Sequence, residues 1–261
     1  MMGVLSSEAL ANFSRNKAGY LRKFRVEHPR VYYFHQAADP HSHLVIQKLA
    51  ALKAQYALDF VVHLVDPPEA VFKGDVTRFD HWTRDDAAAI ASYFDVHFEP
   101  LHIPTEAEVS VANGLLSQGI TDPGFADRGV EIGEQLWSGK LNNQTPINSG
   151  AQRNKGNQLR KRLGHYLGGT FYFEGEWFWG VDRLHLLERR LQREGFGQGD
   201  LVCPLPEQAQ FTQTKADSSI VLEYFPSLRS PYTAIGHRRL LQMVESTGVT
   251  LKLLHYVGLG S

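Results

Sequence analysis

Apolar residues along the chain recur with two periods, and each change of period marks an element. Residues 31–35 and 58–65 are apolar runs of strand length. Between them, Ile46, Leu49 and Leu52 share one face of a helical pattern over 42–56. Strand, helix and parallel strand make a right-handed crossover unit. Upstream, Leu10, Phe13, Tyr20, Leu21 and Phe24 lie near helical spacing and predict an amphipathic helix over 7–25, stopped by His28-Pro29. Residues 85–93, 106–118 and 127–137 read as helices, separated by the breakers Phe98-Glu99-Pro100 and Asp122-Pro123-Gly124. A further helix over 148–166 carries Arg153, Lys155, Arg160, Lys161 and Arg162 and no acidic residue. That face is either simply solvated or one wall of a groove for an anionic ligand. Residues 170–173 and 176–179 predict a hairpin about Glu174-Gly175, and 181–193 a helix with Leu184, Leu187 and Leu191 on one face. Residues 195–217 are rich in Gly, Pro and Gln and read as a linker.

The first crossover unit returns. Residues 31–44 align without a gap on 222–235, 191 positions later, placing Tyr33 on Tyr224, Phe34 on Phe225, Asp39 on Ser230 and Pro40 on Pro231. A repeat of this length reads as a duplicated supersecondary unit. The expected organisation is an N-terminal helix in 1–27, a domain over 28–195 with a helical insert at about 70–166, a linker over 196–217, and the first half of a second repeat over 218–261. The strand at 220–225 would leave an apolar edge unpaired, a template for another copy of the chain or for a missing continuation.

Composition narrows the classes. Of 261 residues 43% are hydrophobic, enough for a core, and 27 Lys and Arg against 28 Asp and Glu give no overall pull towards nucleic acid or membrane. No apolar run approaches the ~20 residues that span a bilayer, and basic residues break up the N-terminus, arguing against a signal peptide. The single cysteine, Cys203, excludes an internal disulfide and a dithiol site. A reduced, cytoplasmic compartment is the simplest expectation.

Three motifs carry a resemblance. They are the helix openings Asp39-Pro40-His41-Ser42 and Ser230-Pro231-Tyr232-Thr233, the run from Thr170-Phe171 through Phe178-Trp179-Gly180-Val181-Asp182-Arg183-Leu184, and Ala112-Asn113-Gly114-Leu115-Leu116. Together they resemble the DsbA-like superfamily, in the branch of 2-hydroxychromene-2-carboxylate isomerases and kappa-class glutathione transferases. The resemblance implies an α/β thioredoxin-like fold (βαβ plus ββα) with a large helical insertion, followed by a partial second βαβ repeat. It also implies glutathione-assisted isomerisation or conjugation of a small aromatic substrate, without a metal. The catalytic positions would be Ser230, as partner of the glutathione thiolate, with Asp39 and His41 at the first turn. Gly169 and Thr170 would form the backbone edge beside glutathione, and Asp182 would meet its γ-glutamyl amine. The rival is a degenerate, non-catalytic thioredoxin-fold binding module.

The same residues have plainer roles open to them. Asp39-Pro40 and Ser230-Pro231 each combine an N-cap residue with proline at the first helical position. Neither Asp nor Ser forms a mixed disulfide, so thiol–disulfide exchange at these turns is excluded. An ionised Asp39 only accepts hydrogen bonds and would repel a thiolate. Gly169 stands where relatives carry a cis-proline; a cis bond without proline costs ~2.5–4 kcal/mol, so a trans peptide is expected. Its glycine suits either close ligand approach or a flexible corner. Asp182 is either a glutathione contact or a first-turn acid at a helix dipole. His41 and His43, two apart at a helix start, diverge, which argues against a metal with His35.

Overall fold

The computed structural model describes residues 28–141, 147–205, 219–227 and 231–254. The helix expected over 7–25, Ser230 and the last residues of the chain lie outside the described residues. The chain divides into two compact units, the first reaching Pro206 and the second starting at Glu207.

The first unit is mixed α/β. Strand β1 (Arg30–His35) leads through a tight turn into helix α1 (Pro40–Gln55), which returns to β2 (Asp59–Leu64). The hairpin β3 (Thr170–Phe173) and β4 (Glu176–Trp179) completes a four-stranded sheet in the order β2-β1-β3-β4. β1 is central, parallel to β2 and antiparallel to β3, with Tyr33 opposite both Val62 and Phe171. A strand covered on both faces must be apolar almost throughout, and Val31, Tyr33 and Phe34 are fully buried. The hairpin turns at Glu174 and Gly175, both at positive φ, as its right-handed strand twist favours.

Between β2 and β3 stand the short helix α2 (Ala70–Lys73), α3 (Val76–Ala91), α4 (Glu106–Gln118), α5 (Phe125–Trp137) and α6 (Gly150–Arg162). After β4 a 3-10 turn at Val181–Arg183 enters α7 (Leu184–Arg193), whose Leu184, Leu187 and Leu191 are fully buried. Helix α4 begins with a capping box in which Thr105 and Glu108 satisfy each other's backbone N–H. Helix α6 ends four residues earlier than its pattern suggests, at Arg162, with Gly164 at φ 88° just beyond it.

Two further differences from the sequence reading have physical causes. Helix α3 starts at Val76, nine residues before the expected Asp85, because Asp75 caps it by accepting the Arg78 N–H at 3.1 Å. Its buried face consists of Thr83, Ala87 and Ala91, four apart and too small to register as an apolar stripe. The stretch expected to be a linker is docked on the first unit as far as its described residues run. Ala57 N–H donates to Phe196 O, and Cys203 is buried. Its anchor is the fully buried Glu188 carboxylate, which accepts from Tyr56 Oη, Val202 N and Cys203 N at 2.8, 2.7 and 2.8 Å.

The second unit consists of a strand, a helix and a parallel strand, β5 (Val221–Tyr224), α8 (Pro231–Thr247) and β6 (Thr250–Leu253). Each begins 191 positions after its counterpart: Val221 after Arg30, Pro231 after Pro40, Thr250 after Asp59. The register also matches, since Val221 faces Thr250 as Arg30 faces Asp59. Among the described residues β5 pairs with β6 alone, and none of the second unit is buried. Among the described residues this is a minimal two-stranded sheet.

Candidate functional site

The turn at the C-terminal end of β1 is held by side chains packed around one carboxylate. Asp39 is the N-cap of α1, and its Oδ2 accepts from Ser42 N at 2.9 Å and from Ser42 Oγ at 2.6 Å. Ser42 Oγ in turn accepts from Gln36 N at 3.2 Å. The capping role open to Asp39 in the sequence is therefore filled. We expect Asp39→Ala to cost about 1 kcal/mol in urea unfolding and Asp39→Ser to be nearly neutral, because Ser caps comparably.

Beneath the turn, Tyr33 Oη donates to Ser42 O at 3.1 Å and lies 2.8 Å from His35 Nδ1. A phenol has one proton, so with that proton on Ser42 O the histidine must donate from Nδ1. Burial drives His35 down to about 3, helped by His43, and raises Tyr33 well above its usual value. His43, against Phe98, is lowered to about 4 by burial and His97. These rings are neutral scaffold, and among the described residues no group of three or more His, Cys, Asp or Glu is placed to hold a metal.

The structure brings some of the sequence's candidates together and separates others. Asp39 and His41 line a small pocket of about 40 Å³ with Gly168 and Trp179. His41 is buried, packs 5.4 Å from the Trp179 ring, and reaches to 3.5 Å from Asp86 Oδ2. Gly169, at φ 60°, presses on the turn: a Cβ there would lie 3.0 Å from Ser42 N and 3.1 Å from His41 C. Gly168 is equally tight against Gln36 and Ser42 Oγ. The glycines accommodate close approach, but of the protein's own turn, and the peptides are trans. Thr170 is fully buried between Phe34 and Trp179, with its hydroxyl directed at Leu167 O. It offers no side chain to a ligand. Asp182 lies outside both cavities at the turn; it is half-exposed and pairs with its neighbour Arg183 at 3.2 Å. Cys203 is buried, and desolvation pushes its thiol up to about 12, so it is inert at neutral pH.

The larger cavity was not foreseen. It has about 470 Å³ and opens beside the turn, between Gln36, Ala38 and Pro40 on one side and α3, α4 and Trp137 on the other. Its cations are Lys73, Arg84 and Arg153. Lys73 is engaged by Asp80 at 2.7 Å, and Arg153 by Asp66. Arg84 has no ion pair among the described residues. Two lining residues, Asn113 and Trp137, also carry a buried polar atom, Oδ1 and Nε1, with no hydrogen-bond partner among the described residues. Asn113 already donates Nδ2 to Val109 O at 3.0 Å, which fixes its oxygen as the free atom. Asn113 lies within one of the motifs carrying the resemblance, yet its want of a partner depends on burial and is invisible in sequence.

No family model matches the chain, and no curated protein does. A solved structure of 2-hydroxychromene-2-carboxylate isomerase, in selenomethionine form, is similar at a TM-score of 0.43 and 15% identity, over 63% of this chain and 95% of that one. No helix among the described residues is long and apolar enough to cross a membrane.

Proposed function

We propose that this chain is a thioredoxin-like protein on the DsbA-type plan, without thiol–disulfide chemistry, that binds a small aromatic carboxylate in the cleft beside Asp39. The observation carrying this reading is a pair of buried polar atoms without a hydrogen-bond partner among the described residues, Asn113 Oδ1 and Trp137 Nε1, on two residues that line one cavity with Arg84. Buried polar groups are nearly always paired, so two exceptions in one wall call for a partner. Arg84 supplies the charge for a carboxylate, Trp137 Nε1–H a donor for its second oxygen, and Asn113 Oδ1 an acceptor for a ring hydroxyl. Ile103, Pro104 and Val109 supply apolar cover.

Calorimetric titration of salicylate tests this. One saturable site is expected. Arg84→Ala should weaken it by roughly 10–100-fold, the range of a lost charge-assisted bond. Trp137→Phe, which keeps the ring against Phe98, should cost about 2–10-fold for a neutral bond. Absence of binding, or binding indifferent to both changes, would remove the reading.

A second reading is the glutathione-assisted isomerisation or conjugation implied by the resemblance. The exposure of Asp182 at the start of the helix after the hairpin favours it, since its half-exposed carboxylate could exchange its Arg183 partner for an amine. On that reading glutathione binds and Asp182→Ala abolishes the binding, whereas Asp39→Ser strengthens it by removing a charge that repels the thiolate.

A further inference from the structure

The acid-free basic helix α6 has a second cavity at its C-terminal end, and its lining is chemically different from the cleft at the turn. The cavity has about 620 Å³ and lies between the loop after β2 (Asp66, Pro67, Pro68) and Arg160, Lys161 and Tyr166. Arg160 is 6% exposed, and its Nη2 donates to Asp66 O at 3.0 Å and Asn157 Oδ1 at 3.2 Å. The first ties α6 to the loop after β2, the second lies within α6, and together they account for half of the guanidinium terminus. The other half, Nη1, has no partner among the described residues. The nearest acid does not supply one, because the Asp66 carboxylate is taken by Arg153 and by Asn157 Nδ2. Arg160 is thus a buried cation with no direct carboxylate hydrogen bond among the described residues; burial lowers it to about 10, against the opposing pull of Asp66 and Asp39.

One wall of the same cavity is aromatic. Phe72 and Tyr166 stack at 4.2 Å with planes 12° apart, and both remain substantially exposed. The stack continues inward through His165 to Trp177, at 5.6 and 4.5 Å between successive rings. Phe72 sits on the four-residue helix α2, which buries none of its residues. Two large, exposed rings thereby line a cavity that Arg160 also lines. Lys161, exposed and on the same rim, adds a second positive charge, against Glu69 opposite.

We propose that this cavity binds a phosphate monoester carrying a planar ring, with Arg160 and Lys161 on the phosphate and the ring lying along the Phe72–Tyr166 pair. A guanidinium N–H with a neighbouring ammonium suits a doubly charged oxyanion, and exposed stacked rings suit a flat apolar body. The site shares only Pro67 with the cleft holding Asn113 and Trp137, and none of the residues the two tests change, so either can fail alone.

The test is calorimetry at low ionic strength with phenyl phosphate and with inorganic phosphate. One site for phenyl phosphate is expected, bound roughly tenfold tighter than inorganic phosphate, the range for one added ring contact. Tyr166→Ala should bring phenyl phosphate down to the level of inorganic phosphate, and Lys161→Ala should weaken both several-fold. Arg160→Gln should abolish both; if that variant fails to fold, the two exposed positions carry the test. Arg84→Ala and Trp137→Phe should change nothing. No saturable binding of phenyl phosphate, or binding that responds to Arg84→Ala and Trp137→Phe and ignores Lys161→Ala and Tyr166→Ala, overturns the proposal.

Discussion

Lowering the pH from about 7 to about 5 should remove up to about 5 kcal/mol of stability. The cause is three histidines buried without charge. His35, His43 and His63 are 3%, 4% and 8% exposed, and burial places them at about 3, 4 and 4. In the unfolded chain each returns to about 6.5. The unfolded state therefore takes up protons first, and stability is complete above about pH 6.5 and falls as the pH drops towards the folded values. Between about pH 7 and 5 each histidine contributes somewhat under 2 kcal/mol, and the sum is an upper value because acid-induced relaxation would let water reach the rings. Urea unfolding at a series of pH values measures the slope. His35→Gln and His63→Gln should each flatten it. A stability that stays level from about pH 7 to 5 would mean that these rings are not neutral and buried.

The second large effect sits on α6. Gly156 is buried where α6 crosses β2, and a Cβ there would overlap the carbonyl oxygen of Leu64. In an exposed helix interior Gly→Ala stabilises by about 1 kcal/mol. Here the obstacle is backbone of a sheet strand, which no rotamer change relieves. Gly156→Ala should therefore destabilise by about 3 kcal/mol, at the upper end for overpacking. For a unit of this size that is a fall in Tm of roughly 6–12 °C. Gly129 and Gly133 on α5 are also tight, but against the Ile46 and His43 side chains, which can turn aside. Their alanine variants should lose less. Gly156→Ala with an unchanged or raised Tm would mean that α6 does not lie this close to β2.

The central sheet was legible because its strands are local apolar runs. The apolar stretches 58–65 and 170–173, read as strands from the sequence, are the ones that pair with the strand at 31–35. The hairpin bounds matched because Glu174-Gly175 punctuates them, and Asp39 read correctly as a helix cap because capping depends on three adjacent residues. Less visible were features whose cause is distant in sequence. Residues 196–205 look like a linker until the Glu188 carboxylate, fifteen residues before Cys203, is seen to hold their backbone. Helix α3 hides its start because it packs through Thr83 and two alanines. The glycines at 168 and 169, open in the sequence to close ligand approach or to a flexible corner, lie close against the turn itself, which only the folded packing reveals. The cleft at Asn113, Arg84 and Trp137 draws on three helices of the insert, and no single stretch encodes it.

The binding reading stands most directly on one atom, the indole N–H of Trp137. This donor, without a partner among the described residues, can be watched in a proton–nitrogen correlation spectrum, with the signal assigned by its loss in Trp137→Phe. Trp177 provides the internal reference, because its indole N–H already donates to Leu163 O at 3.2 Å. As salicylate is added, the Trp137 signal should move downfield and saturate with the calorimetric isotherm, while Trp177 stays in place. A Trp137 signal that remains fixed at saturating salicylate would contradict the assignment of this cleft as the ligand site.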